Sequence, residues 1–327
     1  MQGTKIVGED RQGGRDAWNR YWKTGAAEAP DQALRNRSII GQLERHWDGI
    51  LAHHSASGMP GPMLELACGT GSVIRLARRR LAAGTDSGPD VFGVDFSDAA
   101  ARHTGCGLVG DVARLPFASG RFALVVSQFG LEYAGRSAFC EAARVLAGSG
   151  SFHAVIHRRN SGIWQENRSS LDLLDTVADT QLLQKCERVL ETGYQLDRGA
   201  AAQAGFDTHY MTFRAAADVA DQARRRAPPS PAKAYLDMLV PDLSDFVQRR
   251  QRFDPRQLRD WLAAQARTLD VYAFRMRSML DAAMAEDDIK LAVGDLAAGR
   301  HAVCEIGSLS LSGQDRQDAW TVLVRPA

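Results

Sequence analysis

An acidic side chain and two glycines at close spacing are the first residues in this sequence that could do chemistry. They lie in the stretch MLELACGTGSVI, where Glu65 precedes Gly69 by four residues and Gly71 by six. Glycines in a turn between a strand and a helix let the backbone approach a ligand closely. Two kinds of adenosine-containing cofactor are commonly held this way, a nicotinamide or flavin dinucleotide and S-adenosylmethionine.

The residues around the turn favour S-adenosylmethionine over a dinucleotide. A dinucleotide site requires a third small residue, in the pattern G-x-G-x-x-G/A, whereas this chain has Ile74 there. A pyrophosphate gains nothing from the nearby Glu65, but the methionine part of S-adenosylmethionine carries a cationic ammonium and a sulfonium. Asp95, 24 residues after Gly71, ends the next apolar run, where an acid can accept hydrogen bonds from ribose hydroxyls of either cofactor.

The elements that must position these residues follow from the alternation of short apolar runs with helical segments. This alternation predicts a parallel sheet covered by helices on both faces. Five runs are predicted strands: MLELA (63–67), DVFGVD (90–95), GLVG (107–110), FALVVSQ (122–128) and SFHAVIH (151–157). The last two runs, HAVCEIGSLSL (301–311) and DAWTVLVRP (318–326), predict an antiparallel hairpin.

The chain divides into three predicted regions. Residues 1–60 form an N-terminal helical segment or lid, residues 61–157 with 301–327 form the cofactor-binding domain, and residues 158–300 form a helical cap. The helix after the glycine turn is predicted to end near Gly84. The cap has an alternative interpretation as a dimerisation or purely structural subdomain.

Four segments, in this order, carry a resemblance to a known family: LELACGTG (64–71), GVDFS (93–97), GDVARLPFASGRFALVVSQFGLEY (110–133) and EAARVLAGSGSFHAVIH (141–157). They resemble the class I S-adenosylmethionine-dependent methyltransferases of the small-molecule type. The resemblance implies a doubly wound, Rossmann-like α/β fold with a seven-stranded, mostly parallel sheet, an antiparallel last strand and a helical insertion between strands 5 and 6. The sequence departs from the family pattern at two places. Ala67 stands where the family often has its first glycine, which is expected to be a sterically mild change, and GSG (148–150) replaces the usual Pro-Gly-Gly turn in an expected loop.

The resemblance also implies a cofactor site, residue by residue. It assigns Glu65 to the methionine ammonium, Ala67, Gly69 and Gly71 to the turn, Asp95 to the ribose, Phe96, Asp111 and Val112 to the adenine, and Gln128 to the sulfonium. Trp18, Tyr21 and Trp22 form an aromatic stripe at i, i+3 and i+4. We predict that Tyr21 and Trp22 cover the cofactor, because aromatic rings attract a sulfonium; plain core packing is the alternative.

Residues that follow the fourth and fifth strands are candidates for the acceptor side of the site. Ligands of doubly wound sheets bind beyond the carboxyl ends of the strands. Glu132, Tyr133 and His157 are catalytic candidates, because a carboxylate, a phenol or an imidazole can move a proton or orient a nucleophile. Phe129 and Arg158 are candidate substrate contacts. For each of the five, packing or a solvated side chain is the alternative.

Three functions remain open at this level. The leading prediction is methyl transfer to an O, N or C nucleophile of a small metabolite, mainly by positioning in an enclosed pocket, and the helical cap favours a role in secondary metabolism. The alternatives are an enzyme that cyclises or cleaves S-adenosylmethionine itself and a non-catalytic binding protein. The expected product of transfer is S-adenosylhomocysteine. A dehydrogenase is disfavoured by Ile74.

The amino-acid composition limits the classes of binding partner that we expect. Lys plus Arg number 40 and Asp plus Glu 39, so the chain lacks the basic excess that nucleic-acid binding uses. Without a leader or an 18-residue apolar stretch, we expect a cytoplasmic protein with no membrane partner. The five cysteines show no metal-ligand spacing, so we expect free thiols and no metal. The expected partner is a small-molecule substrate, and the chain is expected to be a monomer or homodimer.

Overall fold

The computed structural model describes residues 11–24, 30–56, 61–81, 90–105, 107–311 and 316–327. The chain divides into two compact units. The sheet unit comprises Met1–Ala26, Ala33–Gln165 and Ser278–Ala327, and the helical unit comprises Ala27–Gln32 and Glu166–Arg277. Gly84, where a helix was predicted to end, and Cys106 lie outside the described residues.

The sheet unit contains a seven-stranded sheet. Its strands are β1 (Met63–Leu66), β2 (Val91–Asp95), β3 (Gly107–Val109), β4 (Phe122–Gln128), β5 (Leu146–His157), β6 (Ala302–Leu309) and β7 (Ala319–Pro326). The spatial order is β3-β2-β1-β4-β5-β7-β6. The first five strands are parallel, whereas β7 runs antiparallel to both β5 and β6. The predicted doubly wound, mostly parallel sheet with an antiparallel last strand is therefore confirmed.

Eleven α-helices are assigned among the described residues. They are α1 (Arg11–Thr24), α2 (Pro30–Ala56), α3 (Ser72–Leu81), α4 (Asp98–Thr104), α5 (Arg136–Val145), α6 (Gly162–Asp179), α7 (Leu182–Asp197), α8 (Gln203–Arg226), α9 (Pro231–Gln248), α10 (Pro255–Ala282) and α11 (Glu286–Ala297).

Two apolar clusters cover the two faces of the sheet. Because side chains alternate along a strand, Leu64 and Leu66 of β1 enter the cluster that includes residues of α5 and α11. Met63 points the other way, into the cluster that includes Trp47 and Leu51 of α2 and residues of α3. The same alternation places Glu65 on the face covered by α2 and α3.

The beginning of β5 differs from the prediction. The strand is assigned from Leu146 rather than Ser151, and GSG (148–150) lies in a β-bulge, because Phe122 pairs with Leu146 and Leu124 pairs with Ser151. A Cβ atom at Gly150 would lie 2.9 Å from the carbonyl oxygens of Phe122 and Ala123. The absence of a side chain at Gly150 therefore lets the bulge of β5 lie against the backbone of β4.

The helical unit consists of α7, α8 and α9 with most of α6 and α10. Its range, 166–277, is narrower than the 158–300 expected from sequence, because α11 packs against α5 in the sheet unit. The segment APPSP (227–231) joins α8 to α9, and Ser230 caps α9 by accepting the Lys233 N–H at 3.2 Å. The capping role expected of this insertion stays a prediction.

Four described cysteines, Cys68, Cys140, Cys186 and Cys304, are free thiols. Over the described part of the chain, no helix is long and apolar enough to cross a membrane.

A half-buried histidine on the α2 side of β5, His153, makes stability depend on pH. Burial, and secondarily the charges of His46, His54 and His53, lower the pKa of His153 from 6.5 to about 4. The unfolded chain therefore binds a proton that the folded chain excludes, and stability falls as pH drops from about 6.5 towards 4. At pH 5 we expect a loss of about 2 kcal/mol from this group alone.

Urea unfolding at pH 7.5 and pH 5 measures this loss. His153→Gln, which cannot be protonated in this range, should lose about 2 kcal/mol less than the wild type on acidification. The exposed His301→Gln is the matched control and should behave like the wild type. Equal acid sensitivity of all three proteins would contradict the prediction.

Candidate active site

The glycine turn between β1 and α3 is shaped by three left-handed residues. Ala67, Gly69 and Gly71 have φ values of 51°, 51° and 76°. The carboxylate of Asp95 accepts the Gly69 N–H at 2.8 Å and the Ser97 N–H at 2.8 Å. The acid predicted to hold the ribose thus also fixes the turn to the end of β2. Burial raises its pKa despite these hydrogen bonds.

The replacement of glycine by Ala67 is not the mild change expected from sequence. A left-handed φ is unfavourable for a residue with a Cβ atom, so Ala67 stores backbone strain. Space for the Ala67 side chain is left by Gly130, in the loop after β4. A Cβ atom at Gly130 would lie 2.5 Å from the Ala67 Cβ and 2.9 Å from the Ala67 carbonyl oxygen. The loops after β1 and β4 therefore touch.

This contact gives a stability prediction. Gly130→Ala should lower the free energy of unfolding by about 1–3 kcal/mol, because the new methyl group overlaps Ala67. Gly148→Ala is the matched control, since a Cβ atom there meets nothing within 4 Å. Urea denaturation of both variants checks the difference. Equal stability of the two would show that the loops separate without cost.

Glu65 is buried on the α3 side of β1. Its Oε2 accepts the Ile74 N–H at 3.0 Å, in the first turn of α3. Burial raises the pKa of Glu65 to about 8, while the hydrogen bonds from α3 act in the opposite direction. The structure therefore gives Glu65 a helix-anchoring role that the sequence did not suggest, and its contact with the cofactor ammonium stays a prediction.

Two variants separate these roles of Glu65. Glu65→Gln keeps an acceptor for the Ile74 N–H but carries no charge, so we expect unfolding within about 1 kcal/mol of the wild type and roughly tenfold weaker S-adenosylhomocysteine binding at pH 8. Glu65→Leu should also lose about 1–3 kcal/mol of stability, because the N–H is left unpaired.

Calorimetry at pH 6 and pH 8 adds a second readout for the Glu65 carboxylate. A cation favours the deprotonated form of Glu65, so wild-type affinity should rise more between these pH values than that of Glu65→Gln. Equal affinities at pH 8 would leave Glu65 only its helix-anchoring role.

Helix α1 lies against the cofactor turn. Its Asn19 accepts the Ser97 hydroxyl at 2.6 Å, and the Arg15 guanidinium stacks 4.7 Å from the Phe96 ring centroid. The indole of Trp22 lies over Gly69, where a Cβ atom would be 2.9 Å from two ring atoms. One predicted lid residue thus touches the turn. Tyr21 lies beside it, with ring centroids 4.9 Å apart. Asn19 and Arg15 were not among the predicted site residues.

The loop after β3 holds the two residues expected at the adenine. Asp111 accepts the Ala113 N–H at 2.9 Å, and Val112 is buried in the core. Arg144 of α5 donates to the Leu115 carbonyl at 3.1 Å, which fastens this loop to α5. The backbone at Asp111 and Val112 is therefore fixed, and their contacts with adenine stay predictions.

Gln128 connects three elements at the carboxyl end of β4. Its Oε1 accepts the Trp47 indole N–H at 2.6 Å, and its Nε2 donates to the Ser72 hydroxyl at 3.3 Å. The side chain expected near the sulfonium thus joins α2 to the start of α3. Trp47 was not among the predicted site residues, because its apolar spacing indicated only packing.

Glu132 and His157 form a hydrogen-bonded pair beyond the ends of β4 and β5. Glu132 Oε1 lies 2.7 Å from His157 Nδ1 and accepts the His157 backbone N–H at 2.9 Å. The Glu132 side chain is 0% exposed and that of His157 16%. Glu132 Oε2 has no hydrogen-bond partner among the described residues. Two of the three catalytic candidates are therefore in direct contact.

Aromatic rings surround this pair. The Phe129 and His157 ring centroids are 4.4 Å apart, Tyr133 packs edge-on to His157 at 5.8 Å, and Trp18 packs edge-on to Tyr133 at 5.3 Å. Phe129 has a φ of 52°, an unfavourable conformation for a bulky residue. Such strain is concentrated at functional sites. The sequence indicated Phe129 and Tyr133, but not the contact with α1.

Arg158 lies apart from the aromatic rings around His157. Its guanidinium carbon lies 3.8 Å from the Trp320 ring centroid, and Trp320 donates its indole N–H to the Met284 carbonyl at 2.9 Å. The arginine thus packs on β7, and its predicted role in substrate binding is untested.

The donor set fits S-adenosylmethionine. Two buried acids, Glu65 and Asp95, adjoin a left-handed turn, and aromatic rings lie over Gly69 and around His157. Carboxylates and π faces attract the cationic groups of this cofactor, and Asp95 retains lone pairs for hydroxyl donors. Within the described ranges, no group of three or more His, Cys, Asp or Glu side chains could hold a metal ion.

A methyltransferase domain family matches residues 64–154. No curated protein sequence matches the chain significantly. Solved structures similar to the chain include the plantazolicin methyltransferase BpumL with S-adenosylhomocysteine, at 8% identity over 98% of this chain and 100% of that one, TM-score 0.44.

Two further similar structures cover less of the chain. The geranyl diphosphate C-methyltransferase from Streptomyces coelicolor A3(2) is 18% identical over 47% of this chain and 67% of that one, with a TM-score of 0.34. YcgJ from Bacillus subtilis is 19% identical over 40% of this chain and 58% of that one, with a TM-score of 0.31. The chain spans 58%, 59% and 48% of the length of three of its structural matches.

The domain match coincides with the strands, the glycine turn and the acids described above. Residues 64–154 thus form a methyltransferase domain, and S-adenosylmethionine is its cofactor.

Proposed function

We propose that the whole protein methylates an oxygen, nitrogen or carbon nucleophile of a small metabolite, with His157 as the general base. The observation that carries this proposal is the 2.7 Å hydrogen bond between His157 and a fully buried carboxylate, Glu132. The pair follows β4 and β5, and the loop after β4 touches the cofactor turn at Gly130.

The arrangement suits His157 to accept a proton. A carboxylate can only accept, so His157 Nδ1 carries the hydrogen, and Nε2 keeps its lone pair. An imidazole nitrogen with a free lone pair can take a proton from a nucleophile, as a general base must. Glu132 fixes the tautomer, while Phe129 and Tyr133 restrict the ring by packing against it.

The bound cofactor supplies an electrophilic methyl group on its sulfonium. The chain's own residues then bind and orient it: Asp95 for the ribose, the Gly69–Gly71 turn for the backbone contacts, and Trp22 as a lid over the turn. Because displacement at a methyl group needs little covalent help, placing the nucleophile in line with the methyl group provides much of the rate.

The test incubates the full chain with S-adenosylmethionine and panels of amines, phenols, carboxylic acids and acidic carbon compounds, with S-adenosylhomocysteine formation followed by mass spectrometry. Acceptor-dependent product with a mass increase of one methyl group supports the proposal. Thioether or cyclised products without acceptor would indicate that the cofactor is itself the substrate. Cofactor binding without any turnover would indicate a binding protein.

A further inference from the structure

The charge around His157 specifies the kind of acceptor, an inference that rests on the proposed function. Glu132 is a fully buried carboxylate whose only ion pair among the described residues is with His157. Its Oε2 has no hydrogen-bond partner there. A buried carboxylate needs a positive group nearby, because burial removes the water that would otherwise stabilise it.

The arginines that follow His157 do not supply this charge. The Arg158 guanidinium stacks on Trp320, and Arg159 donates its Nε–H to the Ala283 carbonyl at 3.1 Å. Glu132 is therefore left with an imidazole that is charged only when protonated. The negative charge at this position is not offset by a permanent cation in the described contacts.

The aromatic rings around Glu132 and His157 also present partial negative charge to a ligand. Trp18, Phe129, Tyr133 and His157 are each partly exposed, whereas Glu132 is not. The π faces of Trp, Phe and Tyr carry partial negative charge and attract cations within about 6 Å of the ring centroid. Partly exposed rings beside a buried carboxylate form a surface that attracts a cation and repels an anion.

We infer that the acceptor is an amine that binds as its ammonium ion. His157 Nε2 takes one proton from the ammonium, which leaves a neutral amine with a free electron pair. That pair forms the new N–C bond with the methyl group as the C–S bond breaks, and the bonding electrons remain on sulfur. The products are a methylated ammonium ion, S-adenosylhomocysteine and a protonated His157, which then releases its proton to water.

Three probes with one carbon frame test this inference without turnover: phenethylamine, 2-phenylethanol and phenylacetate, which carry charges of +1, 0 and −1. Each is titrated calorimetrically into full-length protein saturated with S-adenosylhomocysteine. We expect phenethylamine to bind at least tenfold more tightly than the alcohol, and phenylacetate to bind most weakly. Equal affinities, tighter binding of the neutral or anionic probe, or no amine binding at 20 mM would overturn the inference.

Variants connect the preference to these residues. Glu132→Gln should abolish the difference between amine and alcohol, whereas Glu305→Gln, at an exposed position of β6, should keep it. Should Glu132→Gln fail to fold, Phe129→Leu provides the second variant: it removes a π face without changing charge and should weaken only amine binding. A variant that binds both probes as the wild type does would contradict the assignment.

The same titrations distinguish failure of the amine inference from failure of the proposed methyltransferase function. Retained S-adenosylhomocysteine binding without a charge preference would reject the amine and leave methyl transfer to another acceptor in place. Failure to bind S-adenosylhomocysteine would reject the proposed function itself.

Discussion

Replacement of His157 by glutamine is expected to lower kcat by about 10²–10⁴-fold with the fastest acceptor of the panel. Glutamine can still hydrogen-bond to Glu132, but it cannot take a proton, and general-base catalysis is typically worth this factor. S-adenosylhomocysteine affinity should stay within about twofold, because no observed contact joins His157 to the glycine turn directly. Steady-state kinetics and calorimetry measure the two quantities.

The matched control is His301→Gln, which makes the same change at an exposed position. Its kcat should equal that of the wild type. Glu132→Gln should lower kcat less than His157→Gln and change the pH profile of kcat, because it acts through the orientation of the imidazole. A His157→Gln enzyme with wild-type kcat would rule out the proposed base and leave positioning as the source of the rate.

Asp95→Ala is expected to weaken S-adenosylhomocysteine binding by at least 100-fold. The substitution removes the proposed ribose acceptor and leaves the buried N–H groups of Gly69 and Ser97 unpaired. Each unpaired group costs about 1–3 kcal/mol, so the unfolding free energy should fall as well. Calorimetry gives the affinity, and urea denaturation gives the stability.

Two further variants separate the ribose contact from the turn. Asp95→Asn keeps one carbonyl acceptor and should fall between the wild type and Asp95→Ala in both measurements. Asp98→Asn changes an acid three residues away, whose observed partner is Arg102 in the next turn of α4, and should bind as the wild type does. Wild-type affinity of Asp95→Ala would remove Asp95 from the proposed cofactor site.

Much of the sheet unit was predictable because its signals are local. Short apolar runs alternate with helical segments, and this pattern requires parallel strands whose carboxyl ends meet at one edge. The glycine turn, Asp95 and the antiparallel hairpin were found for the same reason. The start of β5 was not, since glycines 148 and 150 indicate a turn locally, whereas the small size of Gly150 lets its backbone lie against the carbonyl oxygens of Phe122 and Ala123.

The sequence by itself determined the fold class, the cofactor family and a short set of site candidates. Only the tertiary structure decided how these act together. Glu132 and His157 are 25 residues apart, and Trp47 and Gln128 are 81 apart, so no local pattern indicates either hydrogen bond. The strain at Ala67 and the space left by Gly130 likewise depend on two loops that meet only after the sheet forms. Periodicity reports which face of an element is buried, whereas proton transfer and charge depend on distances between elements.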